Sequence, residues 1–115
     1  MSTVHMETGN GYLTVELSGE LDIAAIEPIR DRLRHLAGAV CGVLILDLAR
    51  VTFLDSTALG MFCDMHRRAA ESGTLLVLIN LDPQVGKPIR LTALDTVLNV
   101  HYAEPEPTDL HAVTE

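Results

Sequence analysis

Gly42-Val43-Leu44-Ile45-Leu46-Asp47-Leu48 decides the fold. It is a continuous apolar run closed by a carboxylate, and such a run suits a central strand covered on both faces. Ala49 to Asp55 reads as a connecting loop. Leu59, Phe62, Met65, His66 and Ala69 then recur at three and four residues, which predicts a helix over Thr57–Glu71. Ser72-Gly73 ends it, with Gly73 as a left-handed cap. Leu75–Ile79 is a second buried run. Strand, helix and strand in this order imply a parallel pair joined by a right-handed crossover.

Working outward toward the N-terminus, Ile26, Ile29, Leu33 and Leu36 predict an amphipathic helix over Ala25–Ala37. Pro28 is tolerated in its first turn, and Gly38 is its stop. Gly19-Glu20-Leu21-Asp22 reads as the turn before it. Tyr12–Ser18 alternates, with Leu13, Val15 and Leu17 on one face, so it is a half-buried strand. Asn10-Gly11 is a strong hairpin signal, because both residues accept positive φ. Val4 and Met6 then belong to an edge strand. Toward the C-terminus, Asp82-Pro83 opens a turn ending at Gly86, followed by a helical stretch over Pro88–Ala93 and a last strand over Val97–His101. Residues 104–115 hold four acids, two prolines and no lysine or arginine, and read as an acidic tail with one helical turn at Asp109–Val113. The domain is therefore expected over 1–103.

The 115 residues fit one domain. Sixteen acids against eight bases give a net charge of −8, which excludes the basic footprint of a nucleic-acid binder and disfavours an anionic membrane surface. Two tyrosines, two phenylalanines and no tryptophan leave few platforms for stacking bases. Cys41 and Cys63 read as reduced, buried thiols. The N-terminal stretch lacks the basic and apolar regions of a signal peptide, and no apolar run is long enough to span a bilayer. These points lead to an expectation of a cytoplasmic protein with no membrane insertion.

The chemistry concentrates at Asp55-Ser56-Thr57-Ala58-Leu59-Gly60. Asp, Ser and Thr before an apolar periodic run all serve as N-caps. The same position gives a hydroxyl a second use. It sits beside free N–H groups and the positive end of the helix dipole, so a phosphate there is locally stabilised. That phosphate brings about −1.5 to −2 charges, which repel a docking partner.

The chain resembles the STAS domain of bacterial anti-sigma factor antagonists. The resemblance rests on Gly19-Glu20-Leu21-Asp22, Leu46-Asp47-Leu48, Val51 to Gly60, Asp82-Pro83 and Leu91-Thr92-Ala93-Leu94. It implies a single α/β domain. A mixed, mostly parallel sheet of four or five strands would carry an N-terminal β-hairpin and three or four helices. It further implies an antagonist that binds an anti-sigma factor, often itself a serine kinase, and so releases a sigma factor. The kinase would phosphorylate Ser56 and end the association, and a PP2C-like, metal-dependent phosphatase would reverse it. Thr57 is the neighbouring hydroxyl, with helix capping as its ordinary role. Glu20, Asp22, Asp55, Ser56, Thr57, Leu59 and Gly60 are the implied partner-binding residues, and for Glu20 and Asp22 a turn role stands beside that one. Three departures stand out. Ala58 replaces a usual glycine and stiffens the first turn. Ala25 stands where members often carry a Ser or Thr cap, so the first helix is expected to start raggedly. Gly86 and Pro88 interrupt the third helix.

Other chemistry is set aside. The five histidines show no metal-ligand spacing, so neither a metal nor a cofactor is expected. Gly-x-Ser-x-Gly and glycine-rich phosphate loops are missing. Asp47 lacks the partners of a receiver domain, and Lys87 is badly placed to serve as the late lysine of one. The alternatives are a non-phosphorylated STAS accessory subunit of a membrane transporter and a small enzyme with Ser56 as nucleophile. The second has no positioned base.

Overall fold

The computed structural model describes residues 3–9, 11–39 and 42–104. Asn10, Cys41, and the tail beyond Glu104 with its expected turn at Asp109–Val113, lie outside them. The elements are β1 (Thr3–Gly9), β2 (Tyr12–Leu21), α1 (Ile23–Ile26), α2 (Arg30–Ala39), β3 (Val43–Leu54), α3 (Ser56–Glu71), β4 (Leu75–Leu81), α4 (Lys87–Leu91), a 3-10 turn (Leu94–Thr96) and β5 (Asn99–Tyr102). The strands form one five-stranded sheet in the order β1-β2-β3-β4-β5. β1 and β2 are antiparallel, and the later pairs are parallel. The mixed α/β sheet expected from the alternation is present, hairpin included. Gly9 faces Tyr12 across the turn, and Gly11 has φ +77°, as the Asn-Gly signal requires.

Leu13, Val15, Leu17, Leu44, Leu46, Leu48, Leu76 and Leu78 are buried on one face of the sheet. They join Ile26, Leu33, Ala37, Phe62 and Met65 of the helices in a single core. The alternate residues Val43, Ile45, Val77 and Ile79 are only half-buried. The expectation that the central strand is covered on both faces is therefore corrected. Strand order follows chain order, so successive crossovers of one hand pass over the same face. The other face carries no helix among the described residues.

Three further readings change. First, Ala49–Leu54 is strand and not loop. Glu16 faces Asp47 while Ser18 faces Arg50, and Gly19 faces Val51 while Glu20 faces Phe53. Each step inserts one extra residue into β3. These two bulges break the two-residue period that marks a strand in sequence. Second, Gly19-Glu20-Leu21 completes β2 and is no turn. Third, the Ala25–Ala37 helix is two helices. Pro28 has no N–H to donate, and its ring would clash with a carbonyl one turn back. α1 therefore closes at Ile26, and α2 restarts at Arg30 and runs through Gly38 to Ala39.

The ragged start expected at Ala25 does not occur. The Asp22 carboxylate accepts from Ala25 N at 3.0 Å and caps α1. Near the C-terminus, Asp82 Oδ1 accepts from Gln84 N at 2.8 Å and Val85 N at 3.2 Å, which forms the turn. A Cβ on Gly86 would lie 2.7 Å from Leu81 and 2.8 Å from Tyr102, so this glycine lets the turn pack onto the sheet. Gly86 and Pro88 thus shape a short α4 with proline in its first turn, and do not interrupt a longer helix.

Candidate functional site

β2 and β3 run side by side to the same edge, where Leu21 pairs with Leu54. The next residues are Asp22 and Asp55, each the N-cap of the helix that follows. Two adjacent strand ends therefore carry two capping carboxylates. This is the carboxyl edge of the parallel sheet, where open α/β folds place their ligands.

Asp55 does the capping of α3. Its Oδ1 accepts from Thr57 N at 2.9 Å and from Ala58 N at 3.2 Å. The capping role open to Ser56 and Thr57 in the sequence is thus taken by their neighbour. Ser56 is exposed as the first residue of α3. No hydrogen bond of its hydroxyl occurs among the described residues. Thr57 is half-buried. Ala58 and Leu59 are buried, so Leu59 packs the helix onto the core and is not on the surface with Ser56. Glu20 is exposed on β2 opposite Phe53, one strand away from α3.

Ser56, Thr57 and Gly60 line one wall of a groove of about 610 Å³ between α3 and the α1–α2 pair. Ile23, Glu27, Arg30 and Arg34 line the other wall, and Met61 and Asp64 belong to the α3 wall. The two arginines balance the Glu27 and Asp64 carboxylates. Arg34 Nε lies 2.6 Å from Asp64 Oδ2, and Asp64 also pairs with Arg67 and Arg68 of its own helix. The sequence pattern alone assigns Arg30 and Arg34 to the solvent face of one helix. The break at Pro28 is what sets their placement across from α3. The apolar residues Ile23 (59% exposed) and Phe53 (47% exposed) near the same edge also escape the sequence reading. Phe53 reaches the surface because the β3 bulges shift the alternation, and its place one residue out of period was the available signal.

Gly60 lies in the second turn of α3, and a Cβ there would meet nothing within 4 Å. Glycine inside a helix is less favourable than alanine by about 0.5–1 kcal/mol. Gly60→Ala is therefore expected to raise unfolding stability by about that amount in urea titration. The fold does not require this glycine, so any loss of binding in Gly60→Ala would come from the partner's side of the groove.

No three His, Cys, Asp or Glu side chains are grouped to hold a metal among the described residues. No histidine lines the groove. No helix among these residues is long and apolar enough to cross a membrane.

The family model described as "Mlab, STAS domain" matches residues 5–100. An anti-sigma F factor antagonist of Paenibacillus polymyxa is 25% identical over 113 residues, covering 97% of this chain and 92% of that protein. The crystal structure of an anti-sigma factor antagonist from Mycobacterium paratuberculosis superposes with a TM-score of 0.75 at 26% identity, covering 100% of this chain and 96% of that one. The Bacillus cell fate determinant SpoIIAA in its phosphorylated form shares the fold, with a TM-score of 0.65 at 23% identity over 96% of this chain and 99% of that one.

Proposed function

Because the chain belongs to the STAS domain family, we propose that it acts as an anti-sigma factor antagonist switched off by phosphorylation of Ser56. One observation carries the reading. Asp55 caps α3 by itself, which leaves the Ser56 hydroxyl exposed and unengaged at the positive end of a 16-residue helix. A kinase can reach that hydroxyl, and the added phosphate does not break the helix. In this reading the protein works in the cytoplasm by binding and not by catalysis. The unphosphorylated form docks an anti-sigma factor, itself a serine kinase, along the edge bearing Glu20, Asp22, Asp55, Ser56, Thr57 and Gly60. A PP2C-like phosphatase restores that form. The exposed apolar Ile23 and Phe53 supply buried area beside the polar groups, as a protein interface needs.

The test is phosphate transfer. Incubation with a candidate anti-sigma kinase and ATP should add one phosphate to the tryptic peptide Val51–Arg67, and fragment masses should place it on Ser56. Ser56→Ala should abolish the addition. No phosphate with any candidate kinase, together with capture of an ATP-binding cassette protein, would favour the transporter-subunit alternative.

A further inference from the structure

We propose that Arg30 is a built-in clamp for the phosphate on Ser56, so that modification redraws the ion pairs of the groove as well as adding charge. The inference rests on the Ser56 switch. Its own footing is the state of the two arginines. Arg34 is engaged, with Asp64 at 2.6 Å and Asp31 at 3.7 Å. Arg30 is not engaged to the same degree. Its terminal nitrogen reaches Glu27 at 3.4 Å, and that carboxylate is 57% exposed. The Nε atoms of both arginines are buried without a well-aligned hydrogen-bond acceptor among the described residues, but that of Arg34 has a carboxylate oxygen at 2.6 Å and that of Arg30 has no ion pair among those residues. A buried donor without an acceptor is costly, and more so on a charged group.

Arg30 and Ser56 line the same groove. A phosphoserine brings three strong acceptor oxygens, which match the flat, two-pronged donor face of a guanidinium. An exposed ion pair such as Arg30–Glu27 is worth little and is easily given up. The doubly charged phosphate therefore outcompetes Glu27 for the terminal nitrogens of Arg30. Glu27 turns to solvent, and the groove between α3 and the α1–α2 pair is filled from within. A partner that used this groove meets an occupied site as well as a repulsive one.

The experiment installs phosphoserine at position 56 by genetic encoding, in the full chain, in the parent and in its Arg30→Gln and Arg30→Lys variants. Phosphorus NMR then follows the second ionisation of the phosphate, which in ordinary phosphoserine falls near pH 6. The α3 dipole, Asp55, Glu27, Arg34 and Asp64 all act on the phosphate in every variant, so the difference isolates Arg30. In the parent the midpoint is expected about half a unit or more below that of Arg30→Gln, with Arg30→Lys between. Coincident midpoints would overturn the clamp. If Arg30→Gln does not fold, as read by circular dichroism, Arg30→Lys decides alone, and a midpoint equal to that of the parent overturns the clamp. No kinase is involved, so a failure here leaves the Ser56 switch standing. A failure of phosphate transfer would remove the switch without changing these titrations.

Discussion

Ser56→Asp is expected to weaken the complex with the anti-sigma factor by tenfold or more, about 1.4 kcal/mol, while leaving the fold at least as stable as before. Two opposed effects meet at this residue. Within the chain, a carboxylate at the first position of α3 faces the positive helix end, which favours it by about 0.3–1 kcal/mol. At the interface, the same carboxylate joins Asp55, while Glu27 and Asp64 on that surface are already paired with Arg30 and Arg34. A partner that accommodates those charges meets one more, and juxtaposed like charges cost several kcal/mol when desolvated. Phosphoserine, with its larger charge, should weaken binding further than aspartate. Ser56→Ala should keep the complex. Calorimetric titration against the partner, with thermal unfolding of each variant beside it, separates the effects. Binding of Ser56→Asp equal to that of the parent would place the interface elsewhere.

Phe62→Ala is expected to cost about 3–5 kcal/mol of folding stability. Phe62 is fully buried on the underside of α3 and is the largest wholly buried side chain of the core. Its removal loses the transfer free energy of a phenyl ring and leaves a cavity, because the leucines around it belong to a rigid sheet. A domain of this size has about 5–15 kcal/mol in hand, so the loss is a large share of the total. Urea unfolding reads it as a lower midpoint with little change in slope. A cost under about 1 kcal/mol would mean that α3 does not depend on this contact for its seat. The effect bears on the site, since the face of α3 opposite Phe62 carries Ser56 and Gly60.

Elements with one clean period could be read directly from the sequence. Leu13, Val15 and Leu17 define β2, and Leu59, Phe62, Met65 and Ala69 define α3 within one residue of its start. Asn10-Gly11 places the hairpin. The misreadings fall where two local rules compete. Val51-Thr52-Phe53-Leu54 looks like loop because the bulges of β3 spoil its alternation, although β2 still pairs with it. Around Pro28, the apolar spacing runs on through a break that the proline imposes. The one-sided cover of the sheet lies in the order of crossovers and not in any single segment. For the candidate site, the motif itself gives Ser56 and the adjacent Asp55. The division of labour between Asp55 as cap and Ser56 as free hydroxyl is set by the local backbone of the helix start, and the facing arginines by the packing of α2 on α3.

The order β1-β2-β3-β4-β5 has a further consequence, for how the molecule is made. Each strand pairs with the one synthesised just before it, so no strand waits for a distant segment. The hairpin closes across a two-residue connection, and every later pairing closes a loop of a few tens of residues, whose entropic cost grows only slowly with length. Since chains emerge N-terminus first, the sheet can grow strand by strand from β1 as synthesis proceeds. Asp55 and Ser56 follow β3 in the chain, so the proposed switch residue appears only after the strands that position it.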